Sequence, residues 1–240
     1  MHPISASIIG LGKVGTLIQL LLQKSGHRAD WTFITTPDGA IHETAVKLAE
    51  NDTNWEGRSV IHCSGALPAS VLQPLADQGV LIASCHPMLS VVNSQVAAEQ
   101  FAGTLCTLEG DEALCSELST WLHSLGALTS RITAEQKPLY HAACSVAANY
   151  WVTLAAVAQD CLQQAGLDPA VLHQGILRLQ QSVIDNLAHQ PDFMRALTGP
   201  IARGDMATVE LHREALKSVG YDELYNQLAV VTKQWITASR

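Results

Sequence analysis

Residues 8–15, Ile8-Ile9-Gly10-Leu11-Gly12-Lys13-Val14-Gly15, decide how the rest of the chain is read. An apolar run at 4–9 leads into a GxGxxG, after which Val14, Leu17, Ile18 and Leu21 fall at helical spacing. In a strand–loop–helix each glycine has its own task. The first makes a tight turn, the second lets backbone approach a pyrophosphate, and the third lets helix and strand pack closely. The helix N-terminus adds unpaired N–H groups and a partial positive charge. The loop reads as a dinucleotide-binding element, against the alternative of a glycine-rich turn with no ligand.

Outward from this loop, short β-like runs at 4–9, 31–36, 59–63, 80–84, 104–108 and 127–132 are separated by helical stretches. In 40–50, for example, Ile41, Ala45, Leu48 and Ala49 share one helical face. Such alternation predicts a parallel sheet covered by helices. After Thr133 the strand signals stop. A long helix is predicted over 134–166, closed by Gly166 as a left-handed cap, with further helices at 169–189, 206–219 and 222–237. Charge divides with the pattern, −7 over 1–130 and −1 over 131–240. The fold class expected is α/β: a dinucleotide-binding sheet domain at 1–130, followed by an all-helical substrate and dimerisation domain at 131–240.

Composition narrows the function classes. The 240 residues are 48% hydrophobic and 15% charged, which excludes intrinsic disorder. A net charge of −8 with no basic block argues against nucleic acid and anionic membranes as partners. No apolar run approaches the ~18 residues of a membrane span, and Met1–Ser5 has no basic leader region. Six cysteines without a CxxC read as reduced thiols of a cytoplasmic protein; Cys63 and Cys85, at strand ends, are the two worth labelling. Ten histidines stand against four tyrosines and three phenylalanines.

An acid is expected ~20 residues beyond the glycine loop to hold a ribose hydroxyl. The stretch reached is Thr35-Thr36-Pro37-Asp38, with its acid beyond the proline. Arg28 offers a 2′-phosphate contact, which favours NADP, or is an ordinary loop charge. His62, Ser64 and His86 follow strands, at the edge where open α/β sheets bind ligands. Each histidine is either an acid/base group or a hydrogen-bonded loop brace. His141, Ser145 and Asn149 make one polar stripe among alanines, lining a cleft or a helix interface. Arg203 has the fork geometry to clamp a substrate carboxylate, or forms a salt bridge that stabilises its tight loop, and Asp205 suits an N-cap for the helix from Met206. His62, His86, His141 and His212 lack the close spacing of metal ligands, and no GxSxG elbow is present.

Several of these segments together carry a family likeness. They are the glycine loop, Thr36-Pro37-Asp38-Gly39-Ala40-Ile41, Ile61-His62-Cys63-Ser64-Gly65-Ala66, Cys85-His86-Pro87-Met88, Leu139-Tyr140-His141-Ala142-Ala143 with Asn149-Tyr150, and Leu197-Thr198-Gly199-Pro200-Ile201-Ala202-Arg203-Gly204-Asp205. The chain resembles the Rossmann-like proteins with a helical C-terminal domain called DUF2520. These belong to the 6-phosphogluconate dehydrogenase-like superfamily, with its pyrroline-5-carboxylate, ketopantoate and prephenate reductases or dehydrogenases. The resemblance implies an NADP-dependent oxidoreductase acting on a small oxo, hydroxy or imino acid. Gly10, Leu11, Gly12, Lys13, Val14, Gly15, Thr36, Pro37 and Ser64 would hold the cofactor. His141 or His86 would be the acid/base, Asn149 a carbonyl orienter and Arg203 a carboxylate clamp. Pairing of the C-terminal helices would make a homodimer.

The chain departs from the family at one place. There, a strand, a helix and a second strand separate the glycine-loop helix from the strand that ends at a Pro-Asp turn; here only Gly26-His27-Arg28-Ala29-Asp30 intervenes. Composition alone makes 31–36 the second strand, whereas the resemblance makes it the fourth of the order 3-2-1-4-5-6. The latter implies an abridged sheet domain with weakened or lost cofactor binding. A non-catalytic binding or regulatory protein is therefore the alternative function.

Overall fold

A computed structural model describes residues 6–26, 30–51, 55 and 57–238. By compactness the chain divides into two units, Met1–Ala148 and Asn149–Arg240. In the first unit the strands are β1 (Ser7–Ile9), β2 (Trp31–Ile34), β3 (Ser59–His62), β4 (Leu81–Pro87), β5 (Leu105–Gly110) and β6 (Leu128–Arg131). The helices between them are α1 (Lys13–Ser25), α2 (Asp38–Glu50), α3 (Gln73–Ala76), α4 (Ser94–Glu99) and α5 (Glu112–Ser124), with α6 (Lys137–Ala147) following β6. All six strands expected from the alternation form one sheet, in the order β1-β2-β3-β4-β5-β6. β1 to β4 run parallel, β5 is antiparallel to β4, and β6 is parallel to β5. The α/β class and the Rossmann-like domain read from the sequence are thus present.

Successive side chains of a strand point to opposite faces, and here they feed two cores. Trp31, Phe33, Ile61, Ala83 and Cys85 pack with Leu17, Leu21, Leu118 and Trp121, from α1 and α5, on one face. Ile34, Val60 and Ile82 pack with Ile41, Ala45, Leu72 and Leu75, from α2, the 3₁₀ turn Ala69–Leu72 and α3, on the other. On the first face Trp31 and Trp121 meet edge-on at 5.5 Å.

These faces settle the place of β2. The crossovers β2–β3 and β3–β4 use the α2/α3 face, whereas β1–β2 steps in the same direction but carries α1 on the opposite face. Two crossovers that step alike on opposite faces have opposite hand. The near-universal right-handed rule assigns the exception to the first. A helix on that face is the right-handed partner of a strand on the other side of β1, where no strand is found among the described residues. Trp31–Ile34 therefore occupies the fourth strand's place, and the second-strand reading from composition is corrected.

The second unit holds α7 (Asn149–Gln164), α8 (Pro169–Ala188), α9 (Pro200–Arg203), α10 (Met206–Lys217) and α11 (Asp222–Ala238). The continuous helix expected over 134–166 is corrected: a 3₁₀ turn, Ala134–Gln136, precedes α6, and Ala148 (φ −116°, ψ −61°) separates α6 from α7. Gly166, at φ +85°, closes α7 as the cap residue foreseen. Asp205 caps α10, accepting from the Thr208 N–H at 3.1 Å. No helix among the described residues is long and apolar enough to cross a membrane.

Candidate functional site

The register levels Ile9, Ile34, His62 and Ser84 across four strands, so the residues that follow them share one edge of the sheet. At its β1 end lies the glycine loop. Gly10 has φ +99°, and a Cβ there would lie 2.8 Å from the Thr36 nitrogen. A Cβ on Gly15 would collide with the Gly10 carbonyl oxygen and come within 2.6 Å of Thr35 Oγ1. Thr35 Oγ1 donates to that same carbonyl at 2.5 Å, pinning the turn to β2. Both glycines are therefore required by the protein's own packing.

Gly12 is different. Its φ of −77° is open to any residue, and nothing lies within 4 Å of an added Cβ. Neither packing nor conformation demands glycine there, whereas close approach of a phosphate does. The first turn of α1 has neither a side-chain cap hydrogen bond nor an acidic residue to offset its partial positive charge. Beside the loop, Thr36 Oγ1 is buried without a hydrogen-bond partner. The loop fits a pyrophosphate. On the far side of β1 no described residue supplies an adenosine platform.

The β3 and β4 ends carry the polar cluster. His62 is fully buried; its Nε2 donates to Pro68 O at 3.1 Å and its Nδ1 accepts from Ser64 N at 3.1 Å. Burial, reinforced by the Lys137 charge, pushes its pKa down to about 4. With both nitrogens engaged, His62 is the loop brace rather than an acid/base group. Ser64 Oγ donates to Asp38 Oδ2 at 2.8 Å and accepts from Leu67 N at 3.0 Å, tying the β3 loop to the start of α2. Beneath this loop the Lys137 ammonium donates to Ser84 Oγ at 2.6 Å and to Ser64 O at 3.1 Å. Lys137 is 1% exposed and forms no ion pair among the described residues, and burial lowers its pKa. A buried cation without a counter-ion favours an anionic ligand.

His86 Nδ1 and Tyr140 Oη are hydrogen-bonded at 2.7 Å, and the His86 and His141 rings meet edge-on with centroids 5.8 Å apart. Burial, then His141 and Lys137, pushes His86 down to about 4, and burial pushes the Tyr140 phenol up. At neutral pH this is a neutral imidazole bonded to a neutral phenol, a pair able to pass one proton. A Cβ on Gly65 would come within 2.6 Å of His141 Cδ2 and 2.9 Å of His86 Nε2, so only glycine lets the β3 loop pass against both rings. Cys85 lies within β4 rather than at its end; burial pushes Cys63 up to about 12 and Cys85 well above its usual value, so both thiols are poor nucleophiles.

The model of a domain of unknown function, DUF2520, matches residues 104–232, more than half of the chain. The chain belongs to the DUF2520 family. A model for a Rossmann-like domain matches residues 16–87 of this DUF2520 protein. It is similar to the crystal structure of TM1727 from Thermotoga maritima, 24% identical, covering 98% of this chain and 100% of that one, at a TM-score of 0.77. Protein BF3122 from Bacteroides fragilis is 18% identical, with coverage of 95% and 97% and a TM-score of 0.75. Plasmodium falciparum pyrroline carboxylate reductase, solved with NADP bound, is 11% identical over 97% and 98%, at 0.60. At these identities the likeness is one of fold. No curated protein matches the chain.

Of the candidates read from the DUF2520 sequence, the structure brings together Gly10, Gly12 and Gly15 in the loop, with Thr36 beside it. Leu11 and Lys13 are exposed there, Val14 is half-buried, and Pro37 caps α2. Ser64, His86 and His141 meet at the β3 and β4 ends. Asn149 opens α7 and Arg203 ends α9; both belong to the second unit and are exposed. Arg28 lies outside the described residues. Sequence reasoning missed Lys137 and Tyr140. The signal for the former was present: Lys137 stands four residues before His141, on the same helical face.

Proposed function

We propose that this DUF2520 protein is a nicotinamide-dependent oxidoreductase acting on a small oxo, hydroxy or imino acid. The carrying observation is a glycine at position 12 that neither conformation nor packing requires, on the same sheet edge as the His86–Tyr140–His141 cluster above Lys137. Gly10 to Gly15, with Thr36 and Pro37, would hold the phosphates, and Ser64 would border the nicotinamide. The bound cofactor supplies a hydride acceptor or donor. The Tyr140 phenol passes its proton through His86 or directly, with His141 beside it. Burial, aided by His141 and Lys137, keeps His86 unprotonated, and the Lys137 charge attracts the negative charge of the acid. Asn149 is proposed as a carbonyl orienter and Arg203 as a carboxylate clamp; each is tested by its alanine variant, through kcat and KM respectively.

Calorimetric titration of NADPH tests the reading. Micromolar binding that Gly12→Asp weakens at least about tenfold supports it. No heat at millimolar NADPH overturns it. A non-catalytic binding role is the second reading, favoured by the place of β1 at the edge of the sheet among the described residues; it predicts ligand binding without turnover.

Homodimer formation through the C-terminal helices is part of the proposal. Val152 on α7, Leu179 on α8 and Trp235 on α11 are 70%, 67% and 59% exposed. Six free cysteines fit a reducing cytoplasm.

A further inference from the structure

Three features remove the adenylate half of the crevice while leaving the other half intact. Residues 26–30 connect α1 to β2, too few for a strand, a helix and a second strand. β1 is the edge of the sheet among the described residues, and α1 lies on the face that serves a strand beyond that edge. The acid nearest the end of β2, Asp38, accepts from Ser64 Oγ at 2.8 Å, and so is committed to the β3 side. Among the described residues, neither the ribose hydroxyls nor the adenine of a dinucleotide finds a strand or an uncommitted carboxylate beside the loop, whereas the phosphate loop keeps its open glycine and its uncapped helix.

We propose that recognition ends at the phosphate: the protein binds the nicotinamide–ribose–phosphate half of the cofactor, leaves the adenylate half in solvent, and does not distinguish NADPH, NADH and reduced nicotinamide mononucleotide. This rests on the nicotinamide reading above. The ligand class is a nicotinamide mononucleotide, free or carried as part of a dinucleotide. The mononucleotide offers its full phosphate charge to the N–H groups of α1, which offsets the loss of the second phosphate. Discrimination by a 2′-phosphate has no platform among the described residues, because that group sits on the adenosine ribose.

The experiment is calorimetric titration of the full chain with reduced nicotinamide mononucleotide, NADH and NADPH, plus competition by 2′,5′-ADP. Dissociation constants within about threefold of one another, with no competition by 2′,5′-ADP, are the expected result. Dinucleotides that bind more than about tenfold tighter than the mononucleotide, NADPH preferred over NADH by that factor, or competition by 2′,5′-ADP would each overturn the inference while leaving the oxidoreductase reading standing. Failure of all three nicotinamides to bind at millimolar concentration removes that reading and the inference together. Gly12→Asp, which has open space for its side chain, must abolish whatever binding is seen while the circular dichroism spectrum stays unchanged. Binding that survives this variant lies elsewhere and also overturns the inference.

Discussion

The two units bury their apolar residues differently. Met1–Ala148 covers both faces of its sheet, with Phe33, Ile61, Leu17, Leu72 and Leu75 fully enclosed. Asn149–Arg240 buries only Leu172, Ile176, Val209 and Ala229 among its described apolar residues, although its helices are strongly amphipathic. A sheet between two helix layers completes its core within one chain. A few long helices leave apolar stripes that need another surface. The first unit encloses its apolar side chains and is constrained by steric fit, whereas the second leaves most of its own exposed.

Glycine tests this contrast most sharply. Gly15→Ala gains roughly 1 kcal/mol from helix propensity alone. The collision with Gly10 should instead cost the first unit roughly 3–5 kcal/mol, measured by denaturant unfolding and located by hydrogen exchange. An unchanged stability would mean that the turn at Gly10 yields to the added methyl and that packing there is not limiting.

The next effect is one of pH. His62 and His86 are held near about 4 when folded, against an ordinary value of 6.5. Between those values the unfolded chain binds more protons than the folded one. Stability is therefore full above pH 6.5 and is lost as pH falls through 4, by on the order of 3 kcal/mol for His62. Lys137→Met removes a repulsion common to both histidines and should flatten this slope. Hydrogen exchange at pH 7 and pH 5 should show the loss in the first unit.

A smaller effect belongs to the second unit. Leu179→Glu should weaken self-association by about 2 kcal/mol, roughly thirtyfold, in sedimentation velocity, while the stability of the monomer changes by less than about 0.5 kcal/mol. An unchanged association constant would exclude α8 from the interface. The smallest is Gly175→Ala on α8, where nothing lies within 4 Å of the new Cβ: a gain of about 1 kcal/mol in Tm-based stability is expected. A loss would mean that this face packs closely against a second copy.

Much of the fold was legible because strand and helix periodicities are local. All six strands fell where the apolar runs stood, but β4 continues to Pro87 because β5 pairs with it antiparallel (Pro87 opposite Cys106), and periodicity carries no direction. The interruption at Ala148 was hidden, since alanine is the strongest helix former. Of the site, the glycine loop and both crevice histidines were legible from motif and strand end. Lys137 was not, because a lysine beside a proline at a helix start reads as solvated until tertiary packing places it under Ser64 and Ser84.

The sequence by itself determined the turn at Gly10, the close packing at Gly15, the strand and helix pattern and the family, all properties of residues near in the chain. Only the tertiary structure decided that β1 is an edge, that α1 lies on the unexpected face, and that His86 meets Tyr140 across 54 positions. It also decided that His62 is a neutral brace. The hand of a crossover depends on where distant strands pair, and the proton affinity of a buried group depends on all the atoms that displace its water, whatever their place in the chain.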